Sequence, residues 1–212
     1  MSIQITYTMN DSFEELISSY IDSKIGISKD FLSEALANSL KNNLLKLYKD
    51  EELKSAGIGH FGTFAKNKEI RSDVIYWLDK ENNNPHEIEF FALIEDFITY
   101  LNKECFTGIK SYEFHYALYK PGTFYKRHLD QFQDTSNRQF SMITYLNVDW
   151  KEGDGGELKV YDGEKSQIVS PINRKTVFFK SNELEHEVLE TNQLRLSITG
   201  WLRKDLIDVI VS

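Results

Sequence analysis

Three side chains have the types and the spacing of a metal site. His128 and Asp130 are two positions apart, so on an extended strand both side chains project to the same side and can share one ion. His186, which follows after several β-type runs, can supply a third ligand. Two imidazoles and one carboxylate leave coordination positions open, which is typical of non-haem Fe(II) oxygenase sites and not of closed structural zinc sites. Taken alone, the His128–Asp130 pair is also compatible with simple hydrogen bonding at the surface.

An arginine nine positions after the third ligand strengthens this interpretation. In the run LRLSITGWLR, leucines and an isoleucine alternate with a second set of side chains, Arg195, Ser197, Thr199 and Trp201. One face of this strand is therefore expected to be packed and the other to carry chemistry. An inward guanidinium is costly unless an anion pairs with it, and a dicarboxylate co-substrate would supply that partner through two parallel charge-assisted hydrogen bonds.

Composition excludes several other classes of protein. The 212-residue chain has a formal net charge of -8, which argues against broad binding of nucleic-acid phosphates by clustered lysine and arginine. It carries one cysteine, Cys105, and shows neither a signal-peptide pattern nor an apolar run of the roughly 18 residues that a membrane helix needs. We therefore expect a cytoplasmic protein that does not enter a membrane.

Two kinds of sequence pattern divide the chain. Apolar residues at helical spacing predict helices over residues 12–22, about 30–48 and about 85–103, with a strand over 71–78. Residues 51–72 lose this period and are expected to form a loop or short hairpin. From residue 111 onward, short alternating runs separated by turn signals predict a sandwich or barrel-like jelly roll. These patterns predict a single α+β domain over residues 1–212, in which residues 1–110 form a helical flank and 111–203 form a jelly-roll core.

Longer motifs surround the candidate metal ligands. They are IRSDVIYWL at 70–78, YKPGTFYKRHLD at 119–130, YLNVDW at 145–150, GGEL at 155–158, FF at 178–179, HEV at 186–188, and the segment from Arg195 to Trp201. Together they resemble the 2-oxoglutarate-dependent prolyl hydroxylases, specifically the EGL-nine branch that includes the HIF prolyl hydroxylases and bacterial relatives. The resemblance covers roughly residues 15–203 and implies a double-stranded β-helix core flanked by N-terminal helices.

The resemblance also implies roles for individual residues. Those expected to hold 2-oxoglutarate are Arg195, Tyr145, Tyr119 and Ile143, and those expected to border a target proline are Tyr125, Arg138 and Trp201, with Asp73 pairing Arg138 to order a substrate loop. Each of these has a plain structural alternative, because tyrosine and tryptophan on strands usually pack and arginine–aspartate pairs usually lie at the surface.

The implied reaction is 4-hydroxylation of a prolyl residue by O2, with Fe(II) and ascorbate as cofactors and conversion of 2-oxoglutarate to succinate and CO2. Oxygen sensing is a further expectation. The substrate would be a protein that presents a proline-containing loop, with elongation factor Tu suggested by the bacterial relatives and a HIF-like transcription factor as the alternative. Two other functions remain open, namely an oxygenase acting on another residue or a small molecule, and a non-catalytic jelly-roll module that senses metal or 2-oxoglutarate.

The remaining histidines and the cysteine are not predicted to be ligands or nucleophiles. His60, His86 and His115 are interpreted as loop, helix-start and strand residues, because nothing at ligand spacing accompanies them. Cys105 is interpreted as a core or helix-end residue, because no cysteine signature surrounds it.

Overall fold

Three α-helices, one short 3₁₀ helix (Lys80–Asn82) and eleven strands form the part of the chain that the computed structural model describes, residues 9–56, 70–131 and 137–205. The helices are α1 (Met9–Ser23), α2 (Glu34–Lys49) and α3 (Pro85–Glu104). The strands are β1 (Gly26–Ser28), β2 (Lys54–Ser55), β3 (Val74–Trp77), β4 (Ser111–Tyr119), β5 (Tyr125–His128), β6 (Arg138–Tyr145), β7 (Leu158–Asp162), β8 (Lys165–Val169), β9 (Thr176–Lys180), β10 (Glu185–Val188) and β11 (Arg195–Arg203). The three predicted helices are confirmed, although α1 begins before and α2 after the predicted start.

Side-chain caps explain two of the helix starts. The Ser33 hydroxyl accepts a hydrogen bond from the backbone N–H of Leu36 at the start of α2, and the Asn84 side chain accepts two from the first turn of α3. Each cap satisfies backbone donors that the first helical turn leaves unpaired.

The strands form two antiparallel sheets. The larger has the order β1-β9-β6-β11-β4-β3-β2, and the smaller has the order β5-β10-β7-β8. Buried side chains from both sheets form one hydrophobic cluster, which includes Ala117, Ile143 and Val177 from the larger sheet and Leu158 and Val160 from the smaller one. This arrangement confirms the predicted α+β fold with a jelly-roll core.

The helices cover the other face of the larger sheet. Leu196, Ile198 and Leu202 of β11 belong to a second cluster, which α1, α2 and α3 complete with Leu16, Leu40, Leu44, Ile94 and Phe97. The side chains of β11 therefore alternate between the helical layer and the interior of the jelly roll, as its sequence predicts. Leu194 does not share this packing, because it precedes the strand and is 39% exposed.

The predicted strand over 71–78 is shorter in the structure, where β3 spans Val74–Trp77. Most of the predicted loop or hairpin over 51–72, including His60, lies outside the described residues. Strands β1 and β8 were not predicted from the sequence. Among the described residues, no helix is both long enough and apolar enough to cross a bilayer.

Candidate metal centre and active site

The three predicted metal ligands meet at one edge of the smaller sheet. His128 ends β5, Asp130 follows it, and His186 lies on β10, where it is the antiparallel partner of His128. Their ligand atoms all lie within 4.8 Å of one another. Asp130 Oδ1 is 3.4 Å from His128 Nε2, and Asp130 Oδ2 is 3.5 Å from His186 Nε2. Ligands bonded to one ion at about 2.1 Å and at right angles would be about 3 Å apart, so each imidazole already lies near that distance from one oxygen of Asp130.

Backbone carbonyls orient both imidazoles toward the common point. His128 Nδ1 is 2.7 Å from the carbonyl oxygen of Lys126, and His186 Nδ1 is 3.3 Å from that of Leu184. A carbonyl oxygen only accepts hydrogen bonds, so each Nδ1 carries a proton and Nε2 is the ring nitrogen that remains to bind a metal. This orientation by an outer hydrogen bond is the usual arrangement for histidines that bind metals.

The electrostatics of Asp130 and His186 favour metal binding. Burial opposes ionisation of the Asp130 carboxyl, but His186, His128 and a 2.6 Å hydrogen bond from the Ser141 hydroxyl outweigh it and hold its pKa well below the usual range. The Ser141 oxygen is itself 2.9 Å from the hydroxyl of Ser181. Burial lowers the pKa of His186 to about 4, so its imidazole is neutral at physiological pH. The site therefore offers a carboxylate and a free lone pair, as a divalent cation requires.

Arg195 lies in the same cavity as the triad and is 2% exposed. Its Nε donates a 2.7 Å hydrogen bond to the carbonyl oxygen of Gly156, and its Nη1 is 3.3 Å from the hydroxyl of Ser197. The rings of Tyr119 and Tyr145 have their centroids 4.9 Å and 5.1 Å from the guanidinium carbon.

Two polar atoms beside this guanidinium have no hydrogen-bond partner within the described part of the chain, Arg195 Nη2 and the hydroxyl of Tyr145. Burial raises the pKa of Tyr145 to about 12, so this hydroxyl keeps its proton and remains a donor. Two spare buried donors around a fixed cation fit a carboxylate, which accepts several hydrogen bonds.

Strand register connects the triad to Arg195. Along β11, Trp201 is opposite Ser141 of β6, Thr199 is opposite Ile143, and Arg195 is opposite Tyr119 of β4. These interior positions run from Ser141, which contacts Asp130, to the guanidinium at the far end of the strand. The residues predicted to hold 2-oxoglutarate thus lie on one continuous face next to the metal ligands.

The residues predicted to border a target proline lie near the triad, but their ion pairs differ from the prediction. Arg138 is stacked over Trp201 at 3.5 Å and forms a 2.8 Å ion pair with Glu113. The predicted Asp73–Arg138 pair is wrong, because Asp73 is paired with Arg71, whose Nε and Nη2 are 2.6 Å and 2.9 Å from its two carboxylate oxygens. The Arg71 guanidinium, two residues away, pairs with both oxygens of the buried Asp73 carboxylate, whereas Arg138 pairs with Glu113 of β4.

Tyr125 is held between an aromatic ring and a cation. It stacks on the His128 ring, with ring centroids 3.6 Å apart and planes inclined by 15°. The guanidinium carbon of Arg71 lies 4.6 Å from the centroid of the Tyr125 ring. Burial raises its pKa to about 12. Tyr125 therefore lies directly against a metal ligand as a protonated phenol.

Sequence reasoning missed His115, Trp77 and Arg71 as residues of this region. His115 and Arg71 line the cavity that contains the triad, and the ring centroid of Trp77 is 4.9 Å from that of His115. His115 was predicted to be an ordinary strand residue. A signal was present in the sequence, because His115 is four positions before Tyr119 on an alternating strand and therefore shares its face.

A wider cleft of about 420 Å³ lies elsewhere, between α2 and the loop that follows β6. It is lined by Lys41, Asp149 and Trp150 among others. Within the described residues, the only group of at least three histidine, cysteine or acidic side chains at ligand spacing is the triad, which lies in the narrower cavity. Chemistry rather than size therefore identifies the candidate site. Cys105, in contrast, is an exposed residue at the end of α3.

Comparison with known proteins gives one family match. The sequence model of the 2OG-Fe(II) oxygenase superfamily matches residues 114–203, which contain the triad and Arg195. An uncharacterized PKHD-type hydroxylase from Synechocystis is 30% identical over 112 residues. That match covers 44% of this chain and 37% of the Synechocystis protein, so the chain spans well under half of that relative's length.

Solved structures extend the likeness to nearly the whole chain. A Pseudomonas putida prolyl-4-hydroxylase is 31% identical, with a TM-score of 0.81, over 92% of this chain and 100% of that one. A Trichoplax adhaerens prolyl hydroxylase, solved in complex with a peptide of the hypoxia inducible factor oxygen degradation domain, has a TM-score of 0.82 over 95% of this chain and 94% of that one. At 21% identity, this second likeness concerns the fold alone.

Proposed function

Because the chain belongs to the 2OG-Fe(II) oxygenase superfamily, which implies Fe(II) and 2-oxoglutarate, we propose that it is a prolyl 4-hydroxylase acting on a protein substrate. One observation carries the proposal. His128, Asp130 and His186 have their ligand atoms within 4.8 Å of one another in a cavity that also contains the buried guanidinium of Arg195.

The triad has the ligand types and the open coordination that Fe(II) oxygenases use. When bound, Fe(II) and 2-oxoglutarate supply the oxidising chemistry, in which O2 is consumed and 2-oxoglutarate is converted to succinate and CO2. His128 and His186 would each offer Nε2 to the metal, and Asp130 would offer a carboxylate oxygen that Ser141 steadies by its hydrogen bond.

The buried guanidinium would bind the distal carboxylate of 2-oxoglutarate. Arg195 Nη2 and the Tyr145 hydroxyl, which have no partner in the described segments of the chain, would donate to it, and Tyr119 flanks the same cation. Ile143 contributes an apolar wall between them and the triad. With its walls buried, this end of the cavity would exclude water and hold the co-substrate in one orientation.

The other end of the cavity would receive the target proline. Tyr125, Trp201 and the Arg138 guanidinium stacked on it would form its walls, while Asp73 would act through Arg71, which lies over the Tyr125 ring. Support for proline comes from the 31% identical relative, which is itself a prolyl-4-hydroxylase. We extend the proposal to the EGL-nine branch, to ascorbate as an accessory cofactor, and to elongation factor Tu as the candidate substrate if the source is bacterial.

A turnover assay on cell-extract proteins tests the proposal. Purified protein with Fe(II), ascorbate and 2-oxoglutarate should form succinate and add 16 Da to a prolyl residue of one extract protein, identified by intact-mass and peptide mass spectrometry. A His128→Ala variant is the matched control and should form neither product. A +16 Da mark on another residue type would favour an oxygenase of different specificity. Tight 2-oxoglutarate binding without succinate formation would favour a non-catalytic sensing module.

A further inference from the structure

His115 is a buried side chain that the proposed chemistry leaves unused. It lies on β4, is 1% exposed, and lines the cavity that contains the triad. Its ring centroid is 4.9 Å from that of Trp77 and 5.6 Å from that of Trp201. Both ring nitrogens lack a hydrogen-bond partner in the described part of the chain.

A buried imidazole without partners has a cost, since neutral imidazole has one N–H donor and one acceptor nitrogen and both lose water on burial. The indole Nε1 of Trp201, another N–H donor, is also buried and unpartnered within the described residues. Orphaned polar atoms that gather in a cavity next to a reactive centre are a reason to look for a ligand.

The charge state of His115 narrows the choice of ligand. Burial lowers its pKa well below the usual value, and the cations Arg71 and Arg138 lower it further. The ring is therefore neutral at physiological pH. A neutral donor beside the neutral indole N–H suits an uncharged acceptor such as a peptide carbonyl better than a carboxylate, for which the cavity already provides Arg195.

Position in the sheet points to the same ligand. His115 is opposite Trp77 of β3 on one side and Thr199 of β11 on the other. Trp77 is 47% exposed, so the His115 side of the cavity leads toward solvent. The Tyr119–Arg195 pair lies two interior positions further along the same two strands. His115 is thus closer to the open, aromatic end than to the carboxylate end.

We propose that His115 is a substrate-binding residue whose N–H donates a hydrogen bond to a backbone carbonyl of the protein substrate, next to the residue that enters the cavity beside Trp201. This inference deepens the proposed function and rests on it for the identity of the substrate as a polypeptide. It adds a polar contact to a substrate end that is otherwise built from aromatic rings and a stacked arginine.

Binding of small blocked amides tests the inference without turnover. The full chain is loaded with Zn(II) and 2-oxoglutarate, and N-acetylproline methylamide and N-acetylalanine methylamide are titrated by ligand-observed NMR. His115→Met keeps a similar volume but removes the donor, whereas His115→Asn and His115→Gln place an amide N–H near Nδ1 or Nε2. Thermal unfolding of each variant reports whether the fold is intact.

Wild type should bind the prolyl amide, and His115→Met should bind it about tenfold more weakly because a carbonyl is left unpaired in a dry cavity. Either His115→Asn or His115→Gln should recover most of the loss and so identify the donating nitrogen. The affinity for 2-oxoglutarate should be the same in all variants.

Three results would overturn the inference: equal amide binding by wild type and His115→Met, an equal loss of 2-oxoglutarate binding, or no amide binding by wild type. Failure of the proposed function has a different signature. If both amides bind equally and both depend on His115, the inference stands and the prolyl specificity is wrong.

Discussion

Replacing Arg195 by methionine should abolish tight binding of 2-oxoglutarate while leaving the metal site intact. The guanidinium is 2% exposed and is fixed by its 2.7 Å hydrogen bond to the Gly156 carbonyl. Its Nη2 and the hydroxyl of Tyr145 have no hydrogen-bond partner among the residues that the structure describes, which points to a carboxylate as the missing partner. Methionine fills a similar volume without charge, so the variant removes the ion pair and little of the packing.

The expected loss can be estimated from the burial of this contact. Truncating one partner of a buried, hydrogen-bonded charge pair costs about 2–5 kcal/mol, much of it because the other charge is left unpaired. The dissociation constant for 2-oxoglutarate should therefore rise by roughly 30- to 5,000-fold. Arg195→Lys should lie between wild type and Arg195→Met, because lysine keeps the charge but not the planar, two-pronged geometry.

Calorimetric titration of the Mn(II)-loaded protein without oxygen measures this loss. A second ligand, 2-oxobutyrate, has the same keto-acid end but lacks the distal carboxylate, so its affinity should be the same in wild type and in Arg195→Met. The difference between the two ligands isolates the guanidinium–carboxylate contact.

A matched control is Arg174→Met, which removes an arginine paired with Asp30 and the Leu32 carbonyl instead of one in the cavity. It should bind both ligands as wild type does. Equal weakening of 2-oxoglutarate and 2-oxobutyrate by Arg195→Met would refute the reasoning, as would unchanged 2-oxoglutarate binding.

Three further predictions concern the triad and one buried acid. His186→Ala should lose tight binding of one Mn(II) ion, whereas the control His86→Ala should keep it, as counted by electron paramagnetic resonance. Tight binding by both variants would show that His186 is not a metal ligand. Ser141→Ala should raise the pKa of Asp130 and weaken Mn(II) binding by about 10- to 100-fold. That loss should be nearly the same at pH 6 and pH 8, because His186 and His128 still hold the pKa of Asp130 well below this range, and unchanged Mn(II) binding would contradict the role of the hydroxyl. Burial raises the pKa of Glu87 in the folded state above its value in the unfolded chain, so the ionised carboxylate destabilises the fold at high pH. This destabilisation decreases as the pH falls from the folded-state pKa toward the unfolded-state pKa. Glu87→Gln should therefore be more stable than wild type at pH 8, by an amount that shrinks at pH 5 in urea unfolding, and a constant difference would be the contrary result.

Local patterns predicted much of the fold. Apolar spacing over α1, α2 and α3 reflects the single face that each helix buries, so it is visible in the sequence. The alternation in β11 likewise assigns Leu196 to the helical layer and Arg195 to the interior. The short strands β1 and β8 were missed because a few residues carry too little periodicity to be distinguished from loops.

Residue types and short spacings also predicted the candidate metal ligands and Arg195, whereas the other candidate site residues were assigned from the family resemblance. A histidine and an aspartate two positions apart on extended chain must share a side, so His128 and Asp130 could be paired from the sequence alone. The donor set itself limits the metals that it can hold, and it is a property of composition rather than of fold.

Only the tertiary structure decided which distant groups meet. The register between β10 and β5 sets His186 opposite His128, and pairing of strands far apart in sequence is not encoded in either strand. Competition in space decided that Asp73 pairs with Arg71 and that Arg138 pairs with Glu113. The same holds for His115, since its two neighbouring rings come from β3 and β11. A sequence lists donors and acceptors, but their partners depend on distances that exist only after the sheets have folded over one another.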